Sequence, residues 1–148
     1  MQYLTVFGAT LLVFVGLDVS WIVLVANAFF NSQLGALLRS QPDLAVSAVF
    51  YLIYAAGLVY LAVMPAAHKL SAKGAAGRGA AVGLTAYATF DLTNLAIIQG
   101  WTLAVSLVDI SWGTLASALA SFAGCQVARR SADLERPRPR TTAIRSGT

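Results

Sequence analysis

The chain has 148 residues, of which 58% are hydrophobic and 11% are charged, with a mean hydropathy of +0.73. Soluble domains carry about a quarter charged residues, so this composition excludes an ordinary soluble domain and predicts an integral membrane protein. The single cysteine and the single histidine exclude an internal disulfide and a His/Cys metal cluster within one chain, and the net charge of +4 matters less than its placement.

Four apolar runs follow one another at about residues 3–28, 44–64, 79–99 and 102–128. Each has roughly the 20 residues that a helix needs to cross about 30 Å of hydrocarbon, and a helix satisfies its own backbone in lipid. These runs predict an all-α fold, a four-transmembrane-helix bundle over residues 1–128. No Lys or Arg precedes the first run and Asp18 interrupts it, so we expect it to be a retained span rather than a cleaved signal peptide.

Basic residues are distributed unevenly between the loops. Lys69, Lys73 and Arg78 lie between the second and third runs and six arginines follow the fourth, whereas Arg39 alone lies between the first and second. The positive-inside rule therefore predicts a multi-pass protein of the bacterial inner membrane with both termini in the cytoplasm. The Arg- and Pro-rich tail, residues 129–148, is predicted to be disordered and to act as an orientation signal, or else to contact anionic lipid headgroups.

Three aspartates interrupt the apolar runs: Asp18, Asp91 and Asp109. Each lies about seven to ten residues from the predicted outer end of its run, which corresponds to a depth of roughly 10–15 Å at 1.5 Å per residue. Two of them begin the matching segments "DVSW" and "DISW", which place Trp21 and Trp112 three residues later. We read this match as two similar local solutions, although inverted repeats are common in transporters.

Further polar side chains are predicted at the same depth, because residues three and four apart share a helix face. The predicted ligand- or ion-binding layer consists of Asp18, Trp21, Tyr51, Tyr54, Tyr87, Asp91, Asn94, Asp109 and Trp112. No Lys or Arg in the runs can pair with the aspartates, so some hold a proton, or a cation or ammonium group lies among them, or water reaches them. The alternative is that protonated aspartates only join helices through hydrogen bonds.

Small residues recur at four-residue spacing and predict close helix packing. The pattern occurs at Gly79 and Gly83, and at Gly16 and Ser20. A third set is Ala116, Ala120 and Gly124.

Several motifs in order resemble those of one family. They are "LDVSW", "FYLIYAAGLVY", "AYATFDLTNLA", the isolated "GW" and "LVDISWGT". Together they resemble the bacterial membrane proteins catalogued as domain of unknown function, number 2177, over roughly residues 3–123. The resemblance implies a four-helix inner-membrane protein and emphasises Asp18, Trp21, Asp91, Asn94, Asp109 and Trp112, but it implies no activity.

A carrier or binding protein for a cation, a proton-coupled solute or an amphipath is the favoured function. The first alternative is a membrane-embedded enzyme acting on a lipid or isoprenoid, with carboxyl groups as acid and base. The second is a structural or assembly subunit. The sequence contains no phosphate loop, nucleophile elbow or His–Glu metal motif, so no cofactor or metal is assigned and an enzyme is disfavoured. The expected partners are membrane lipid and a second copy of the chain. No binding to nucleic acid is expected.

Overall fold

The computed structural model describes residues 2–67 and 71–135, and within these ranges the chain is helical with no β-strand. The all-α prediction is therefore confirmed. Lys69 and the predicted tail after residue 135 lie outside the described residues.

The helices follow the predicted runs but extend beyond them. Helix α1 (Gln2–Trp21) continues through a π-helical turn (Ile22–Ala26) into α2 (Asn27–Leu34) and a short 3₁₀ turn (Gly35–Leu37). Helix α3 (Leu44–Leu58) continues through a second π-helical turn (Val59–Val63) into α4 (Met64–Ala67). Helices α5 (Ala72–Ile97) and α6 (Leu103–Glu135) complete the chain that the structure describes.

Side-chain caps and two glycines explain where helices begin and where the chain turns. The Asp43 carboxylate accepts hydrogen bonds from two backbone N–H groups at the start of α3, and the Ser71 hydroxyl accepts one at the start of α5. Because of this cap, α5 begins well before the predicted run at residue 79. Gly35 (φ +46°) and Gly100 (φ +92°) adopt the left-handed backbone that glycine tolerates, and the chain turns at both places.

Three helical stretches are long and apolar enough to cross a membrane: Tyr3–Leu37, Leu44–Ala67 and Leu103–Ala132, with mean hydropathies of 2.3, 2.1 and 1.5. Helix α5 has 26 residues but is not among these three, since polar residues such as Asp91 and Asn94 lower its hydropathy. The fourth span therefore stays a prediction. Helix α6 continues to Glu135, so the predicted boundary between helix and tail at residue 128 falls inside a helix.

Small residues bring α5 and α6 into close contact. A Cβ atom added to Gly83 would lie 2.6 Å from the carbonyl oxygen of Gly113, so a larger residue does not fit without movement. On another face of α6, Ala116 and Ala120 are fully buried against Phe14. This packing agrees with two of the three predicted small-residue patterns.

The remaining predicted pattern, Gly16 and Ser20, does not pack against another helix within the described residues. A Cβ atom at Gly16 would meet nothing within 4 Å, and Ser20 is exposed. Both residues lie on the outer side of α1, because Phe14 and Asp18 occupy its inner side.

Candidate functional site

The Asp18 carboxylate joins three helices. The Tyr51 hydroxyl of α3 donates a hydrogen bond to Asp18 Oδ2 at 2.6 Å, and the Trp112 indole N–H of α6 donates one to Oδ1 at 3.1 Å. Asp18 itself is buried in α1. Each oxygen of this buried carboxyl group therefore has a hydrogen-bond donor from another helix.

The two Asp-x-Ser-Trp segments face each other. The indole rings of Trp21 and Trp112 stack with their centroids 4.6 Å apart and their planes 10° apart. Ser20 and Ser111 both donate to the carbonyl four residues earlier and lie on the exposed side of their helices. The two tryptophans differ in their partners: Trp112 donates to Asp18, whereas the buried Trp21 N–H has no acceptor among the described residues.

Tyrosines from α3 and α5 meet beside this cluster. The Ser117 hydroxyl donates to the Gly113 carbonyl at 2.6 Å, so the Tyr54 hydroxyl is the donor in its 2.8 Å contact with Ser117. The Tyr87 ring lies edge-on to the Tyr54 ring, with centroids 6.0 Å apart, and packs directly on Gly113. The Tyr87 ring can occupy this position because Gly113 has no side chain.

The other two aspartates form a carboxyl pair between α5 and α6. Asp91 is fully buried, and in the described part of the chain no N–H or O–H group donates to either of its carboxyl oxygens. The carboxyl group next to it is that of Asp109, across the contact between α5 and α6. Asp18 is near enough to act electrostatically on Asp109. The three aspartates, far apart in the sequence, therefore gather in one region.

A cavity of about 390 Å³ opens beside this cluster. Its volume lies in the range of small-molecule sites, about 300–1,000 Å³. Two carboxyl groups and six aromatic rings share its wall with three aliphatic residues. The lining residues are Asp18, Trp21, Ile22, Ala26, Phe30, Phe50, Tyr54, Ala86, Tyr87, Phe90 and Asp109.

The cavity is open on one side of the bundle. Ile22, Phe50 and Phe90 are 43%, 42% and 55% exposed, so they form its rim. They come from the first π-helical turn, α3 and α5 respectively. The site is thus an aromatic hollow that is acidic at its inner end and apolar at its mouth.

The predicted layer separates into wall and support. Asp18, Trp21, Tyr54, Tyr87 and Asp109 line the cavity. Behind this wall, Tyr51 and Trp112 bind Asp18, and Asp91 contacts Asp109. Asn94 is half-buried one turn after Asp91 and does not line the cavity.

Three aromatic wall residues are additions to the predicted set. Phe50 lies four residues before Tyr54 and Phe90 lies three residues after Tyr87, so helical spacing carried a signal for both. Phe30 follows the predicted end of the first run, and no pattern pointed to it. Over the described residues, no three His, Cys, Asp or Glu side chains are placed to hold a metal ion.

Comparison with known proteins gives a family. No curated protein and no solved structure matched the chain. The family model described as "Predicted membrane protein (DUF2177)" matches residues 3–126, a range that includes every residue of the site. The chain belongs to the DUF2177 family of predicted membrane proteins.

Proposed function

We propose that this protein is a small integral membrane carrier or binding protein whose cavity holds an amphipathic organic cation. One observation carries the proposal: Asp18 and Asp109 lie in an aromatic wall to which no Lys or Arg contributes. Carboxylates balance a positive charge, and the faces of Trp and Tyr rings attract cations by about 0.5–2 kcal/mol each. Cages of aromatic rings recognise quaternary ammonium groups on this basis.

The apolar mouth supports an amphipathic ligand. The rim residues Ile22, Phe50 and Phe90 are exposed on a helical bundle whose surface is largely apolar. An apolar tail can lie against this rim while the charged group reaches the carboxylates inside. A strongly hydrated inorganic cation would first have to lose its water shell to contact the aromatic wall, so an organic cation fits this site better.

The placement we propose has four spans in the bacterial inner membrane, with both termini in the cytoplasm and a second copy as partner. The length of α5, about 39 Å at 1.5 Å per residue, supports a fourth crossing. The contact from Thr102 Oγ1 to Gln33 Oε1, at 3.2 Å, joins the loop before α6 to the end of α2. The connection from α2 to α3 and the connection from α5 to α6 contain one basic residue between them, Arg39. Under the positive-inside rule, this supports an outer location for both connections.

Binding of benzyltrimethylammonium to the purified protein in lipid nanodiscs tests the function. Neopentylbenzene, which replaces the ammonium nitrogen with carbon, is the matched neutral probe. We expect the cation to bind and Asp109→Asn to weaken its binding tenfold or more, about 1.4 kcal/mol, as measured by titration calorimetry. Asp43→Asn is the control, since Asp43 caps α3 away from the cavity and Asn caps equally well.

The outcomes separate the candidate functions. Equal binding of both probes, or unchanged cation binding by folded Asp109→Asn protein, would contradict the proposed cation site. Lower melting temperatures for Asp18→Asn, Asp91→Asn and Asp109→Asn, with no cation binding in any protein, would favour the structural alternative.

A further inference from the structure

We propose that Asp91 and Asp109 share one proton while the cavity is empty, and that a cation binding against Asp109 displaces this proton into water. The inference rests on the proposed function, because the cation enters the cavity that Asp109 lines. It assigns the role of a proton holder to Asp91, which does not line the cavity.

Two neighbouring carboxyl groups can hydrogen-bond to each other only when they hold a proton. An ionised carboxylate is an acceptor only, so two carboxylates cannot hydrogen-bond to each other. When one of them is protonated, its O–H becomes the donor and the other carboxylate accepts. Asp91 is 0% exposed, and in residues 2–67 and 71–135 no other side chain or backbone group donates to its oxygens. The shared proton is therefore the means by which this buried group is satisfied.

Charge balance favours exchange over simple addition. With one proton, the pair carries a charge of −1. If a monovalent cation binds at Asp109 and the proton leaves, two carboxylates and one cation again carry −1. The buried charge stays constant through the cycle, which avoids the cost of adding a net charge in a medium of low dielectric constant.

The surroundings identify Asp109 as the group that exchanges. Asp109 lines the cavity, whereas Asp91 lies behind it on α5. Asp18 on α1 already receives donors from Tyr51 and Trp112, so both of its oxygens have partners outside the pair. Among the described residues, the other titratable side chains beside the three aspartates are tyrosines: the Tyr51 hydroxyl donates to Asp18, the Tyr54 hydroxyl contacts Ser117, and the Tyr87 ring packs on Gly113.

Infrared difference spectroscopy tests the exchange. Addition of benzyltrimethylammonium to wild-type protein is expected to remove a carboxylic acid C=O band and create a carboxylate band. Calorimetry in buffers of different ionisation enthalpy is expected to count one proton released per cation bound. In Asp91→Asn protein the proton count falls to zero while binding persists, and in Asp43→Asn protein the count stays at one.

The outcomes distinguish a failure of the proton exchange from a failure of the proposed function. Cation binding without proton release overturns the exchange and leaves the proposed function standing. If the cation does not bind, the proposed function and the exchange fail together. The shared proton is then judged in the empty protein, where a pH-difference spectrum must contain an acid band that both Asp91→Asn and Asp109→Asn abolish. Circular dichroism establishes whether each variant is folded. If a variant does not fold, the infrared spectra of the wild-type protein decide whether a proton is shared.

Discussion

Asp18 shows how a carboxylate in an apolar helix is accommodated by its neighbours. Each oxygen has one donor, Tyr51 at 2.6 Å and Trp112 at 3.1 Å, and the donors come from two other helices. A hydrogen bond to a charged group contributes about 1.5–3 kcal/mol. The same residue therefore joins three helices and also lines the cavity.

Removal of one donor should lower stability measurably. We expect Tyr51→Phe to reduce the free energy of unfolding by about 1–3 kcal/mol, because Asp18 Oδ2 then lacks its donor in a buried position. Thermal unfolding in a mild detergent measures the change. Tyr60→Phe is the matched control, since Tyr60 is 77% exposed and its substitution should leave the melting temperature unchanged. Equal melting temperatures for both variants would show that the Tyr51 bond contributes nothing.

Sequence alone predicted that distant aspartates meet, but not what each one contacts. Depth in the apolar runs follows from counting residues, and counting predicted a common level for Asp18, Asp91 and Asp109; in the structure these three side chains lie in one region. The rotation of each helix is set by packing, and packing sends Tyr87 to the cavity and Asp91 into the α5–α6 contact. Sequence spacing placed Asp91 and Asn94 in the binding layer, but it could not show that neither of them lines the cavity.

At the scale of helices, the α5–α6 contact positions both the carboxyl pair and Tyr87. Gly83 approaches the Gly113 carbonyl, and the Tyr87 ring covers Gly113 one turn later along α5. The π-helical turn after α1 contributes Ile22 and Ala26 to the cavity wall, and such turns are frequent at functional sites. The repeated glycines were visible in the sequence, whereas the π-helical turn had no sequence signal.

A methyl group at this contact should force the helices apart. We expect Gly83→Ala to lower the free energy of unfolding by about 1–3 kcal/mol through overpacking, because its Cβ would lie 2.6 Å from the Gly113 carbonyl oxygen. Gly16→Ala is the control, because space is open around Gly16. Equilibrium unfolding of both variants in mild detergent makes the comparison. A stable Gly83→Ala protein would mean that α5 and α6 are not held by close approach.

At the scale of the whole molecule, the topology depends on whether α5 crosses the membrane. Three stretches have the composition of a span, and α5 does not. The polar residues that lower the hydropathy of α5 include Asp91, which packs inward against α6 rather than outward. A helix that buries its carboxylate in this way can cross a membrane despite its composition, so the fourth crossing is the decisive question for the orientation of the site.

Labelling of single cysteines determines whether α5 crosses. Cys125 is the one cysteine of the chain and is buried, so Cys125→Ala provides the background. Ser40→Cys, Lys73→Cys and Gln99→Cys each place a thiol at an exposed position. With four spans, a membrane-impermeant maleimide added to intact cells labels positions 40 and 99, and labels position 73 only after permeabilisation. If positions 73 and 99 are labelled under the same condition, α5 does not cross the membrane. The cavity then does not lie in the outer half of the membrane.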